Sequence, residues 1–122
     1  MDKELIVVGF KSALFFLDGM RGEELKSETF SASAEEFISK LADNFISVSA
    51  LETIYEKFTH TSAEYTLSEQ IGHDLYLTVL GHGAGFWDRP EIYNGYVDML
   101  TDTCETLIIN DIGEYDNLIE IE

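Results

Sequence analysis

Positive charge is what this sequence has least of. It carries 7 Lys and Arg against 24 Asp and Glu, a formal net charge of −17 over 122 residues. From residue 58 onward, 13 acids stand against a single base, Arg89, so that half carries −12 and residues 1–57 only −5. Direct DNA or RNA binding needs clustered Lys and Arg to neutralise phosphates, and attraction to an anionic membrane surface needs the same; the composition argues against both. The one cysteine, Cys104, excludes an intramolecular disulfide and a cysteine-based zinc site. No apolar run approaches the roughly 20 residues of a membrane span. Lys3 followed by Leu5-Ile6-Val7-Val8 is too short and too soon interrupted for a signal peptide. These absences predict a soluble protein of the reducing cytoplasm. Internal repeats, low-complexity segments and linkers are missing too, so residues 1–122 are read as a single acidic domain.

What is present suffices for a packed core. Hydrophobic residues make up 45% and aromatics 12% of the chain, well outside the range of a disordered one. Residues 5–17 are ambiguous: Ile6, Val7 and Val8 favour a strand, while Phe10, Leu14 and Leu17 recur at helical spacing, with Gly9 as the weak point of a helix there. Asp18 to Gly22 breaks it, and a polar loop follows to Ser31. Ser33-Ala34-Glu35-Glu36 has the form of a capping box. Behind it Phe37, Leu41, Phe45, Val48, Leu51 and Tyr55 predict one helix over roughly 34–58, bent near Asn44 to Ser49. Thr59 to Glu69 reads as a polar connector with His60 exposed.

The distinctive stretch is Gly72 to Arg89, which holds two of the three histidines, four of the nine glycines and the only tryptophan. His73, Leu75, Leu77 and Val79 alternate with Asp74, Tyr76 and Thr78, a period of two that predicts a half-buried strand. Leu80-Gly81-His82-Gly83 would turn the chain, and Ala84 to Trp87 would return it. Asp88 then caps a helix with Pro90 in its first turn, running over about 89–104 with Ile92, Tyr93, Tyr96, Val97, Leu100 and Cys104 on its apolar face. Thr106 to Ile109 and Leu118 to Ile121 complete a last hairpin around Asn110 to Gly113. The expected fold class is therefore α+β: N-terminal helices, a β-hairpin, a helix and a C-terminal β-hairpin, the strands forming a small antiparallel sheet.

Gly-His-Asp-x-x-Leu-Thr followed by Gly-His-Gly-Ala-Gly-Phe-Trp-Asp-Arg resembles a motif in a family of small uncharacterised bacteriophage and prophage proteins. Ala13-Leu14, Gly22-Glu23-Glu24-Leu25 and the helical stretch from Ser33 are similar to the family layout. The motif covers about eighteen residues; the chain departs from the family at Leu75, Tyr76, Val79 and Leu80 and lacks the Arg-Asn pair of its turn. The resemblance implies a phage or prophage origin, a bacterial host cell, a helix from about Lys3 to Leu17 and the hairpin-containing architecture. It implies no reaction.

Two functions follow from the residues. In the first, an acidic surface of Asp98, Asp102, Glu105, Asp111, Glu114 and Asp116 binds a basic host protein, a defence or nucleic-acid-handling enzyme, as a mimic of nucleic acid. Asp102 and Glu105 lie near the negative end of a helix with no compensating cation, which opposes folding there. In the second, His73, Asp74, His82, Trp87, Asp88 and Arg89 form a small metal- or ligand-binding or enzymatic site on the glycine-rich hairpin. His-Glu-x-x-His spacing is absent, the glycine cluster lacks the ending of a phosphate loop, and no catalytic set or cofactor is indicated. Monomer and homodimer are both compatible with the composition.

Overall fold

The computed structural model describes residues 1–19, 30–60, 64–81, 83–110, 112–115 and 118–122. Among the described residues, six helices and one strand pair follow in order: α1 (Lys3–Gly19), α2 (Ala32–Ser49), α3 (Leu51–Ile54), α4 (Leu67–Leu80), α5 (Pro90–Tyr93), α6 (Val97–Cys104), β1 (Ile112–Tyr115) and β2 (Leu118–Ile121). Three 3-10 turns, Tyr55–Lys57, Phe86–Asp88 and Asn94–Tyr96, punctuate them.

The expected α+β class with a small sheet is overturned: the molecule is mostly helical. The central hairpin does not exist, because residues 73–79 lie inside α4 and Phe86–Asp88 is a 3-10 turn. The strands are only two antiparallel four-residue segments, Ile112 opposite Ile121 and Tyr115 opposite Leu118, which no second hairpin joins among the described residues. A lone parallel bridge, in which Ser31 N–H donates to the Ile119 carbonyl at 2.9 Å, fastens this ribbon to the chain just before α2. The expected first strand at 106–109 is irregular instead, and Ile112 and Gly113, read as turn, belong to β1.

The reason for the misreading of α4 is physical. Leu67, Ser68, Gln70, Ile71, Gly72, Asp74, Leu75, Tyr76 and Leu77 are all buried. A helix enclosed on most sides shows no polar stripe, so its pattern can mimic another period. Its ends were nonetheless marked. Thr66 and Glu69 form a reciprocal capping box at the start, and Gly81, with φ +68, takes the left-handed conformation that closes the other end.

α1 resolves the ambiguous residues 5–17 as helix, and Gly9 has a packing role there. A Cβ on Gly9 would collide with the Glu69 backbone, and one on Gly72 with the Ile6 backbone, so α1 and α4 cross in backbone contact. Phe10 meets Tyr76 edge-on beside this crossing, ring centroids 5.5 Å apart. The helix expected over 34–58 is broken at Ala50, whose φ of +53 ends α2 and starts α3. Its cap is Ser31, which accepts from Ala34 N–H at 3.0 Å, while Ser33 donates to Glu120 instead. The helix expected over 89–104 is likewise divided at Asn94, φ +55, into α5 and α6, and no side chain caps α5. One core takes Ile6, Phe10 and Leu14 from α1, Ile38, Leu41 and Phe45 from α2, Ile71 and Leu75 from α4, Leu100 and Cys104 from α6, and Ile112, Ile119 and Ile121 from the ribbon.

Candidate functional site

Consecutive positions on a helix point about 100° apart, and His73 and Asp74 show the consequence. Asp74 faces inward with 0% exposure. Its Oδ1 accepts from Arg89 Nε at 2.6 Å, and its Oδ2 from Gln70 Nε2 at 2.9 Å and Tyr93 Oη at 2.5 Å. Three donors surround a carboxylate that water cannot reach, which is how a buried charge becomes tolerable. Burial, and then the adjacent carboxylate, push the Tyr93 phenol well above its ordinary value. Burial opposes the charge of Arg89, but Asp74 outweighs it and the guanidinium ends above its ordinary value. The Tyr93 phenol and the Arg89 guanidinium therefore both keep their protons across the neutral range.

The glycine-rich segment closes this network from above. Thr78 Oγ1 donates to the Asp74 carbonyl at 2.7 Å and accepts from Phe86 N–H at 3.1 Å, drawing the 3-10 turn onto α4. A Cβ at Gly85 would strike that hydroxyl. Phe86 is fully buried, stacked on Phe45 at 5.3 Å and edge-on to Tyr93 at 5.0 Å. Asp74, Thr78, Phe86 and Arg89 are thus explained as one folding unit. Trp87 and Asp88, between the last two, are exposed.

His73 leaves α4 on another side. With Gly9, Ser12, Tyr65 and Glu69 it borders an open cleft of about 220 Å³. Its Nδ1 is buried without a hydrogen-bond partner. Burial lowers the pKa of the ring, partly offset by Asp74. A buried lone pair is less costly than a buried N–H without an acceptor, so the neutral ring carries its proton on Nε2. Glu69, at the cleft edge, accepts from Thr66 N–H and Oγ1 through one carboxylate oxygen.

The structure therefore separates the residues grouped by sequence. Asp74 and Arg89 form an internal pair, His73 borders a cleft, Trp87 and Asp88 lie on the surface, and His82 lies outside the described residues. Among the described residues no three His, Cys, Asp or Glu side chains gather to hold a metal ion. Gln70 and Tyr93, which complete the Asp74 network, were missed; the one signal for it was Arg89 itself, the sole base in a strongly acidic half. Cys104 is buried, and burial pushes its thiol up to about 12, so it packs as an apolar group.

The acidic surface is only partly within view. Asp98, Asp102 and Glu105 are exposed on α6 and just past its end, with no cation in ion-pair reach among the described residues. Asp111 and Asp116 lie outside the described residues, as does the side chain of Glu114. Of the bases with described positions, Lys3 pairs with Asp43, Lys11 with Glu35, Lys40 with Glu36 and Arg89 with Asp74, and Lys57 lies over the Tyr96 ring.

Fold and site together define a mostly helical, strongly acidic protein in which Asp74, among the described residues, has its charge buried against Arg89. Among the described residues no helix is long and apolar enough to cross a membrane. No family model, no curated protein and no solved structure matches the chain.

Proposed function

We propose that this chain is a phage- or prophage-type accessory protein that binds a basic host protein through its acidic surface, in the manner of a nucleic-acid mimic. The observation that carries this reading is the fate of Arg89. It is the only base after residue 57, and it turns inward to neutralise Asp74. Residues 58–122 hold no second base for the twelve other acids of that half of the sequence. An uncompensated field of one sign steers a partner of the opposite sign and excludes nucleic acid itself. The host protein on this reading is a defence or nucleic-acid-handling enzyme whose groove accepts phosphates, and Asp98, Asp102, Glu105, Asp111, Glu114 and Asp116 are the proposed contacts.

A tagged pull-down from bacterial lysate, washed at low and then high salt, tests it. The expected outcome is a nucleic-acid-binding protein released by salt and displaced by added duplex DNA. Capture that persists unchanged at high salt and in excess DNA would overturn the reading.

A second reading, a small ligand-binding module, is favoured by one observation: the cleft at His73, with an unpartnered ring nitrogen and a carboxylate at its rim. Metal analysis and thermal-shift screening of the wild type beside a His73→Phe variant separate it from the first.

A further inference from the structure

In the Gly-Ala-Gly-Phe-Trp-Asp-Arg segment, the side chains of Trp87 and Asp88 make no hydrogen bond, ion pair or ring contact among the described residues. Phe86 anchors the 3-10 turn in the core and Arg89 ties its end to Asp74. Trp87 and Asp88 face out, and the chain's only tryptophan is 50% exposed. The turn is held in place without them, so its side chains are presented on a rigid support.

The surroundings of the indole define what would suit it. Among the described residues no cation lies over its face; Lys11 sits over Phe30 at 5.3 Å and Lys57 over Tyr96 at 5.9 Å. Asp88 is its direct neighbour, and Glu91 is exposed one turn further on. The 3-10 turn packs against α6, the helix that carries Asp98 and Asp102. An exposed aromatic face in a half of the chain that carries 13 acids and one base attracts an organic cation twice, through the ring quadrupole and through charge. A guanidinium fits better than an ammonium. It is planar, so it stacks on the ring while its N–H groups reach a carboxylate at the edge, and it is the more weakly hydrated of the two. Exposed tryptophans held on a rigid support are also the residue type that dominates binding energy at interfaces.

We infer that Trp87 and Asp88 form the docking point for an arginine side chain of the basic partner. The inference rests on the acidic-surface reading and gives that surface an anchor. Its test uses the tryptophan as reporter. Wild-type protein is titrated with a short arginine-rich peptide and with a lysine-rich peptide of equal length and charge, following Trp87 emission and the anisotropy of a labelled peptide.

The arginine peptide is expected to alter the emission saturably and to bind tighter than the lysine peptide. Trp87→Ala should weaken it by about tenfold, and Trp87→Phe by less. Asp88→Asn should narrow the difference between the two peptides. Far-UV circular dichroism establishes that each variant is folded. Equal affinity of wild type and Trp87→Ala for the arginine peptide would overturn the anchor while leaving the acidic surface standing. Wild-type affinity in a variant with Asp98→Asn, Asp102→Asn and Glu105→Gln would overturn the role of that surface. No binding of either peptide at low salt would overturn both.

Discussion

Asp74 shows how one side chain can look catalytic in sequence and be structural in space. Its neighbour His73, the nearby His82 and Asp88 suggested a shared site, yet Asp74 donates nothing outward and accepts from Arg89, Gln70 and Tyr93. The partners lie 15 and 19 residues further on, which no local pattern encodes. Gln70 was legible only once the stretch was read as a helix, where a separation of four residues puts two side chains on one face. Replacing Asp74 with Ala would leave a guanidinium, a phenol and an amide without their acceptor. The expected loss of stability is about 3–5 kcal/mol, measured by urea denaturation. Asp74→Asn, which keeps the shape and one acceptor, should lose less. A loss under about 1 kcal/mol for the alanine variant would mean that water or a rearranged neighbour replaces the carboxylate.

Among the elements, α1 was legible only in part, because Phe10, Leu14 and Leu17 repeat every three or four residues while Ile6, Val7 and Val8 carry a competing strand preference. α2 was legible as a stripe, but its end was not. Ala50 adopts the left-handed conformation although nothing about alanine favours it; tertiary packing of Leu51 and Ile54 in the core accompanies the break. α4 was hidden because residues 73–79 alternate like a strand and its capping residues, Thr66 and Glu69, lie in a stretch that reads as a polar connector. Gly72 is where the α1 backbone comes against α4. Gly72→Ala is therefore expected to force α1 and α4 apart, at about 1–3 kcal/mol or more. Gly95→Ala, whose added methyl meets nothing within 4 Å, should change stability by under about 1 kcal/mol. Urea titration of the pair checks this, and equal effects would remove the crossing as the explanation.

For the molecule as a whole, charge was fully legible in composition and its arrangement was not. A net charge of −17 on a folded domain repels itself, and the described ion pairs neutralise only four acids. Salt screens that repulsion over a Debye length of about 10 Å at 0.1 M. The melting temperature should therefore rise between low and near-molar sodium chloride; relief of about 1 kcal/mol lifts it by about 4 °C in a chain of this size. A flat or falling melting temperature in differential scanning calorimetry would mean the acids are compensated within the fold. Salt thus acts with opposite sign on the two properties, strengthening the fold and weakening the proposed association.

The crossing of α1 and α4 also sets the order in which the chain can be completed. Asp2 N–H donates to the Ser68 hydroxyl across 66 residues, and the two mutually accommodating glycines lie almost as far apart. Helical proteins usually fold fast because successive helices are neighbours. Here the first helix must await the fourth, and the entropy of closing so long a loop is lost before the contact rewards it. During synthesis, the apolar face formed by Ile6, Phe10 and Leu14 emerges well before α4 is available to cover it. The acidic character of the chain then has a role at birth, since like-charged nascent chains repel one another while that face is bare.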